Sequence, residues 1–349
     1  MKAIEAKYEA QKIAFGPFVF QTCIAMKDLG IMTAIRKSRG KATLASLSQE
    51  TGVSDYGVLV LVEMAVAAEV LSLNEEGQID LTKVGFYLNS DMMTNVNLRF
   101  TNDNCYKGLF NLVDSIKNGK AEGLKEYGSW KTIYEGLSQL SPELRKSWLE
   151  FDHYYSDDAF DDALKIIFNN EPKLIFDIGG NTGKWAIASC NNREDVKVKI
   201  IDLPGQVALA KKNIENNTPF ADRISFHPID ILKSETEIPG GADVYWMSQF
   251  LDCFSESEIE SILLKIKKNA KRESKVFIME TFIDNQDYPA AKFSLVATSL
   301  YFTAIANGNS KMYSKSAFEY ILKNAGFKVD KEYPLIGDSY HTILECSLV

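Results

Sequence analysis

Leu174-Ile175-Phe176-Asp177-Ile178-Gly179-Gly180-Asn181-Thr182-Gly183 is the stretch whose reading decides the fold. Five residues of mostly apolar character, interrupted by one carboxylate, predict a buried strand. Three glycines within five residues predict a sharp turn, and the pattern opening at Lys184-Trp185 predicts a helix. A strand, a glycine turn and a helix start form a ligand-binding arrangement: glycines let a ligand approach the main chain, and the helix N-terminus offers free N–H groups.

Working outward from this turn, short apolar runs at 198–201, 224–227, 244–247, 276–279 and 342–346 alternate with helical patterns at 205–216, 256–269 and 316–325. That alternation predicts an α/β fold: an open, mostly parallel, Rossmann-like sheet covered by helices on both faces, and the last strand is expected to run antiparallel. Asp202 closes the second run, where a carboxylate is placed to accept from a ribose diol. Asp230, followed by Ile231, closes the third, suited to an adenine amino group and ring. The bland alternative is that Asp202 and Asp230 cap the helices that follow. Gly179 to Gly183 lacks the G-x-G-x-x-G spacing of a dinucleotide turn. The acidic Asp177 suits a cofactor with a cationic amino-acid tail better than a pyrophosphate.

Upstream, residues 1–105 read as mainly helical. Thr43 is placed to cap a short helix ended by Gly52, and Ser54 or Asp55 opens an apolar helix predicted over 57–70. Leu71-Ser72-Leu73, a polar turn, and Ile79-Asp80-Leu81 then predict a hairpin. Helix, turn, helix, hairpin is the order of a winged helix. Its second helix carries no Arg, Lys, Asn or Gln to read bases, so packing or dimerisation is the expected role, with no nucleic-acid partner. Residues 106–168 read as connecting helices, with Ser141-Pro142 at one helix start. There Phe151-Asp152-His153-Tyr154-Tyr155 is rich enough in aromatic and polar groups to line a small-molecule pocket. The cofactor-binding domain is expected over 169–349.

The chain of 349 residues carries a net charge of −8, which disfavours nucleic acid and anionic membranes. Its five cysteines include no C-x-x-C pair, as expected of reduced thiols in the cytoplasm, and no metal site is expected. No apolar run reaches the roughly 18 residues of a membrane span.

With these residues in view, the chain resembles small-molecule S-adenosyl-L-methionine-dependent O-methyltransferases with an N-terminal winged-helix dimerisation domain. Asp177–Gly183 resembles their cofactor loop, Ile201-Asp202-Leu203-Pro204 their ribose-binding strand end, Asp230-Ile231 their adenine-contacting pair, and Met279-Glu280 a strand-end Glu. Ala325-Gly326-Phe327 resembles their late turn. The resemblance implies a homodimer whose N-terminal domains reach into each other's pockets. It implies cofactor contacts from Asp177, Gly179, Gly180, Gly183, Asp202, Leu203, Asp230, Ile231, Ser248 and Gln249.

The sequence departs from that pattern at the base. Where the family has a His, Gln249-Phe250-Leu251-Asp252-Cys253-Phe254 places Asp252, 28 residues before Glu280. An ordinary Asp, with a pKa of about 3.9, is a poor base for a phenol near 10. Burial and the neighbouring Glu280 would raise it; an already anionic acceptor, or His153 as base, are the alternatives. The second helper Glu falls near Met312 and is lost, and the family Lys falls at Ser248. Tyr154, Tyr155, Phe250, Phe254, Phe293, Tyr301, Phe302 and Met312 are the candidate pocket lining. The expected function is methyl transfer to an oxygen of an aromatic or polyketide-like small molecule. The competing readings are a cofactor-binding relative with decarboxylase- or hydroxylase-like chemistry and a ligand-sensing DNA-binding regulator.

Overall fold

The computed structural model describes residues 1–217, 219–338 and 340–349. The chain divides into two compact units, Met1–Asn102 and Asp103–Val349. The segment 106–168 thus falls within the second unit.

In the first unit, helices Ala3–Ala14, Gly16–Asp28, Ile31–Ser38, Leu44–Thr51 and Asp55–Ala67 precede a two-stranded antiparallel hairpin, β1 (Leu71–Leu73) and β2 (Ile79–Leu81). Thr43 Oγ1 accepts from Ser46 N at 3.2 Å and Ser54 Oγ from Gly57 N at 3.1 Å, so both expected caps form. The second of these helices stops at Ala67, three residues short of expectation. Glu69 turns left-handed and Val70 enters the core just before β1. Met26, Ile31, Met32, Ile35, Leu47, Val58 and Ile79 form that core. No single helix among the described residues is long and apolar enough to cross a membrane. One bent pair, Gly16–Asp28 with Ile31–Ser38, passes on length and composition, but its Ile31, Met32 and Ile35 are core residues.

The second unit carries a seven-stranded sheet: β3 (Leu174–Ile178), β4 (Lys197–Asp202), β5 (Ile224–Pro228), β6 (Val244–Ser248), β7 (Lys275–Glu280), β8 (Phe327–Ile336) and β9 (His341–Leu348), in the order β5-β4-β3-β6-β7-β9-β8. The first five strands pair in parallel; β9 runs antiparallel to β7, and β8 antiparallel to β9. Strand alternation divides the core. Phe176, Ile178, Tyr245, Met247 and Ile278 face the layer of helices Glu256–Asn269 and Lys315–Asn324, with Ile259, Ile262 and Phe318. Ile175, Val244, Trp246 and Phe277 face the opposite layer, with Ile167, Trp185 and Ile214. There the Trp185 and Trp246 rings stack at 4.4 Å.

β8 was not expected. Its sequence, FKVDKEYPLI, mixes charges and a proline with apolar residues. Both are tolerated because β8 is an edge strand, where one row of backbone groups needs no partner. Two register shifts against β9, between Val329/Lys331 and Tyr333/Ile336, break its alternation further.

Candidate active site

The carboxyl ends of β3, β4 and β5 lie side by side, stitched by backbone bonds. Gly179 N donates to Ile201 O at 2.9 Å, and Ile229 N donates to Asp202 O at 2.9 Å. The glycine turn between β3 and helix Lys184–Asn192 is required sterically. Gly179 has φ +77°, and a Cβ there would stand 2.2 Å from Cδ2 of Phe250. A Cβ at Gly180 would stand 2.7 Å from Asp177 Oδ2. Gly183 is the N-cap of the helix, itself left-handed.

Asn181 is the hub of the turn. It adopts φ +48°, which Asn tolerates better than most residues. Its N–H donates to Asp202 Oδ2 at 2.9 Å, its Nδ2 to Asp152 Oδ2 at 2.8 Å, and its Oδ1 accepts from Gln206 Nε2 at 3.0 Å. Leu203 N donates to Asp202 Oδ1 at 2.7 Å. Two main-chain donors therefore aim the Asp202 carboxylate, each oxygen keeping a lone pair for a ligand hydroxyl. Burial, opposed by those two bonds, pushes its pKa up to about 6. Asp230 lies just past β5; its Oδ1 accepts from Leu232 N at 3.1 Å, and Ile231 is buried beside it.

Asp177 is only 3 % exposed, and its Oδ2 has no hydrogen-bond partner among the described residues. Burial, then the nearby Asp202 charge, raises its pKa to about 8. A buried carboxyl without cation or donor is costly, and a cationic ligand group is what would relieve it. At the tip of β6, Ser248 Oγ and Gln249 Oε1 are likewise buried and unpartnered, and Gln249 holds a strained φ of +44°.

The loop after β6 is held by Glu280 at the end of β7. Glu280 Oε1 accepts from Phe250 N at 3.2 Å and Leu251 N at 3.0 Å; Oε2 has no partner among the described residues. Asp252 is 7 % exposed and Glu280 2 %. Burial raises the pKa of both, and each carboxyl lies in a field of further negative charge: Asp152 acting on Asp252, and Asp252 on Glu280. Cys253 Sγ lies 3.4 Å from Asp252 Oδ1. The loop is tied to the chain that follows helix Pro289–Tyr301: Asn307 Nδ2 donates to Cys253 O at 2.6 Å and Tyr313 Oη to Phe254 O at 2.7 Å. A π-turn, Phe302–Ala306, lies between, a distortion frequent at functional sites.

His153 sits near the end of helix Pro142–Tyr154 with both ring nitrogens engaged. Nε2 is 3.4 Å from Thr182 Oγ1, and Nδ1 is 3.3 Å from Asp157 Oδ1, whose other oxygen binds Lys184 Nζ at 2.5 Å. Burial pushes the Asp157 pKa up, but the bonds from His153 and Lys184 outweigh it and leave it low. His227 lies within β5 and His341, wholly buried, in β9; burial lowers the His341 pKa to about 4.

Among the lining candidates, Phe250 and Phe254 pack edge-to-face at 4.8 Å, and Tyr154 against Tyr155 at 5.2 Å. Tyr301 Oη accepts from Trp148 Nε1 at 2.8 Å. Phe302 and Met312 are buried, Met312 N donating to Ser299 Oγ at 3.1 Å. Phe293 stands apart, 78 % exposed. The sequence placed Asp152 in a pocket-lining segment and Asn181 in the glycine turn without giving either a role of its own, and it passed over Trp148 and Tyr134, the last buried at its hydroxyl beside Cys253 and Asp252. For Asp152 a signal existed: a carboxylate between aromatics, one residue before His153.

A parallel sheet whose strand tips pair a glycine turn with a backbone-aimed carboxylate and an uncompensated buried acid defines a class of α/β protein. It is the class that binds nucleoside-containing ligands at the carboxyl ends of its strands. Residues 109–328 match the family model of the O-methyltransferase domain, so the chain belongs to that family. It is an S-adenosylmethionine-dependent O-methyltransferase, and residues 7–78 match a Dimerisation2-like domain. Des-methyl DIF-1 methyltransferase A of Dictyostelium discoideum is 25% identical over 268 residues, covering 74% of this chain and 70% of its own. Acetylserotonin O-methyltransferase of Bos taurus is 21% identical over 344 residues, 96% of each chain. The structure of the mitomycin 7-O-methyltransferase MmcR superposes with a TM-score of 0.75 at 19% identity, over 99% of this chain and 98% of its own.

Proposed function

We propose that this enzyme methylates a hydroxyl oxygen of a small aromatic or polyketide-like molecule, as a homodimer, with the cofactor held at the tips of β3 to β6. The observation that carries this is the buried, unpartnered carboxyl of Asp177 beside the glycine turn. S-adenosylmethionine fits that need, since its amino-acid tail supplies the missing cation. In this reading Asp177, Gly179, Gly180 and Gly183 receive the tail, with Ser248 and Gln249 as further donors and acceptors. Asp202 and Leu203 hold the ribose, and Asp230 and Ile231 the adenine. When bound, the cofactor supplies an electrophilic methyl group on sulfur, which leaves as a neutral thioether.

The chain's own residues supply position and dryness, the main contributions to such a displacement. Phe250, Phe254, Tyr154, Tyr155 and Tyr301 offer an aromatic wall for a planar acceptor, with Met312 beside them. Asp252 and Glu280 stand at its polar end as proton carriers. His153, engaged on both sides, fits a latch between helix Pro142–Tyr154 and the glycine turn better than a free base. The names of the similar enzymes, which include acetylserotonin and mitomycin methyltransferases, support an aromatic hydroxyl compound. The Dimerisation2-like match supports the homodimer. Free thiols at all five cysteines fit a cytoplasmic setting. Helix Asp55–Ala67, without a base-reading side chain, gives no support to DNA binding.

Calorimetry with S-adenosylhomocysteine, NAD and random duplex DNA tests the reading, with binding of the first alone expected. A labelled methyl donor and a phenol library then test transfer. Tight NAD binding without S-adenosylhomocysteine binding would refute it.

A further inference from the structure

The base position of this chain holds a buried carboxyl, Asp252, where the resemblance places an imidazole, and its charge bears on Glu280, the strand-end Glu that the resemblance expects. Asp252 and Glu280 come from different elements, the loop after β6 and the end of β7. The loop amides that fix Glu280 Oε1 belong to the segment carrying Asp252. Glu280 Oε2, on a residue 2 % exposed, is left without a partner among the described residues. Two buried carboxyls whose charges act on each other cannot both ionise at small cost. The vacant Oε2 is where a proton, or a ligand hydroxyl, completes the pair.

The titratable groups that act on the pair are Asp152 from helix Pro142–Tyr154, Cys253 from the same loop, Tyr134 from helix Ile133–Gly136 and Tyr313 from the chain beyond helix Pro289–Tyr301. Neither Asp252 nor Glu280 forms an ion pair with Lys, Arg or His among the described residues. His153 and Lys184 bear on Asp152, but the groups acting on Asp252 and Glu280 are acids, phenols and a thiol, which favour a neutral or cationic guest and repel an anionic one.

We propose that Asp252 and Glu280 form a proton-sharing carboxyl pair that takes the acceptor's hydroxyl proton, and that with Asp152 they admit neutral or cationic hydroxyl compounds while excluding carboxylated ones. The acceptor O–H bond breaks and its bonding pair stays on oxygen, which becomes the nucleophile. The proton passes to the ionised carboxylate of the pair and is released to water after the product leaves. Asp252 is the base; Glu280 is a positioning residue that fixes the loop and tunes its partner. An acceptor that is anionic before binding, the other explanation for a missing His, is disfavoured by the same charges.

The proposal rests on the O-methyltransfer reading, so the two are tested apart. Asp252→Asn should bind S-adenosylhomocysteine within about threefold of wild type; failure of the wild-type enzyme to bind it overturns the underlying reading instead. On enzyme saturated with S-adenosylhomocysteine, three probes are compared by calorimetry: catechol, 3,4-dihydroxybenzoate and 2-(3,4-dihydroxyphenyl)ethylamine. The carboxylated probe is expected to bind at least about tenfold more weakly than the other two, and the double variant Asp152→Asn/Asp252→Asn to narrow that gap. Equal binding of the carboxylated probe, or no binding of any of the three, overturns the selection. With catechol as acceptor, Asp252→Asn should lower kcat by about 10²–10⁴ at little change in KM. Asp252→His should restore part of it with a displaced pH limb. An unchanged kcat in Asp252→Asn overturns the base.

Discussion

The two halves of the site are built from different materials. The proposed cofactor half, at the tips of β3 to β6, is mainly backbone geometry: a glycine turn, an aimed carboxylate, and N–H groups spent on Asp202. The proposed acceptor half, from Phe250 to Phe254, is side-chain chemistry hung on a loop that Glu280 pins. Backbone geometry tolerates little change, because a Cβ in the wrong place collides. Side-chain chemistry can be rewritten while the loop stays in place; Asp252 stands where the resemblance to the family places a His. The halves meet where Gly179 lies against the Phe250 ring.

That meeting point gives the largest expected effect. Gly179→Ala puts a Cβ 2.2 Å from Phe250 Cδ2 on a residue with φ +77°. Both halves should fail together: S-adenosylhomocysteine affinity should drop by about 100-fold or more, roughly 2.7 kcal/mol, with turnover lost. Calorimetry on the folded variant checks it. Normal affinity would mean the two halves are not mechanically joined at this residue.

Asp202→Ala should sharpen the contrast by damaging the cofactor half alone. Loss of a charged hydrogen-bonding group of this kind costs about 1.5–3 kcal/mol, or roughly 10–100-fold in affinity. At saturating cofactor, kcat should remain near wild type. A kcat loss equal to the affinity loss would deny that the halves act separately.

Asp177 carries the next effect, through pH. Its carboxyl is pushed up to about 8 in the folded chain from an ordinary 3.8. The native state therefore keeps a proton that the unfolded chain releases above pH about 4, so without cofactor stability falls as pH rises from about 4 to 8 and levels beyond. S-adenosylhomocysteine affinity runs the other way, rising toward pH 8 as Asp177 ionises to meet the cationic tail. Asp177→Asn should flatten both curves and raise Tm at pH 8 by a few degrees, at roughly 2–4 °C per kcal/mol. Thermal scans and calorimetry across pH 5–9 decide it; a wild-type affinity independent of pH would remove Asp177 from the tail site.

How much of this was readable beforehand follows the same division. Leu174 to Gly183 announced strand, turn and helix because each feature is local: an apolar run, left-handed glycines, a helix start. Asp202 was readable for the same reason, as the last residue of a strand. β8 was not, since an edge strand with Lys328, Asp330, Lys331 and Pro334 lacks the alternation that burial of one face imposes. The partners of Asp252 were unreadable because they come from distant segments: Asp152 lies 100 residues upstream in sequence, and Tyr134 further still. Only the folded chain shows that His153 turns its two nitrogens to Thr182 and Asp157, while its neighbour Asp152 faces Asn181.

His153→Asn is the smallest effect and the most direct challenge to the comparison. If the imidazole is a latch, its removal loosens helix Pro142–Tyr154 against the glycine turn without touching the proton path. Asn can still bond Thr182 or Asp157, though not both in the same geometry, and Lys184 still holds Asp157. Partly exposed ion pairs of this kind are worth about 0–1 kcal/mol, so kcat should fall by no more than about fivefold. The acidic limb of the kcat profile, set by the Asp252–Glu280 pair, should keep its midpoint. A loss comparable to that of Asp252→Asn, with the limb abolished, would make His153 the base. The acceptor half would then have kept an imidazole after all, moved from the loop to the helix.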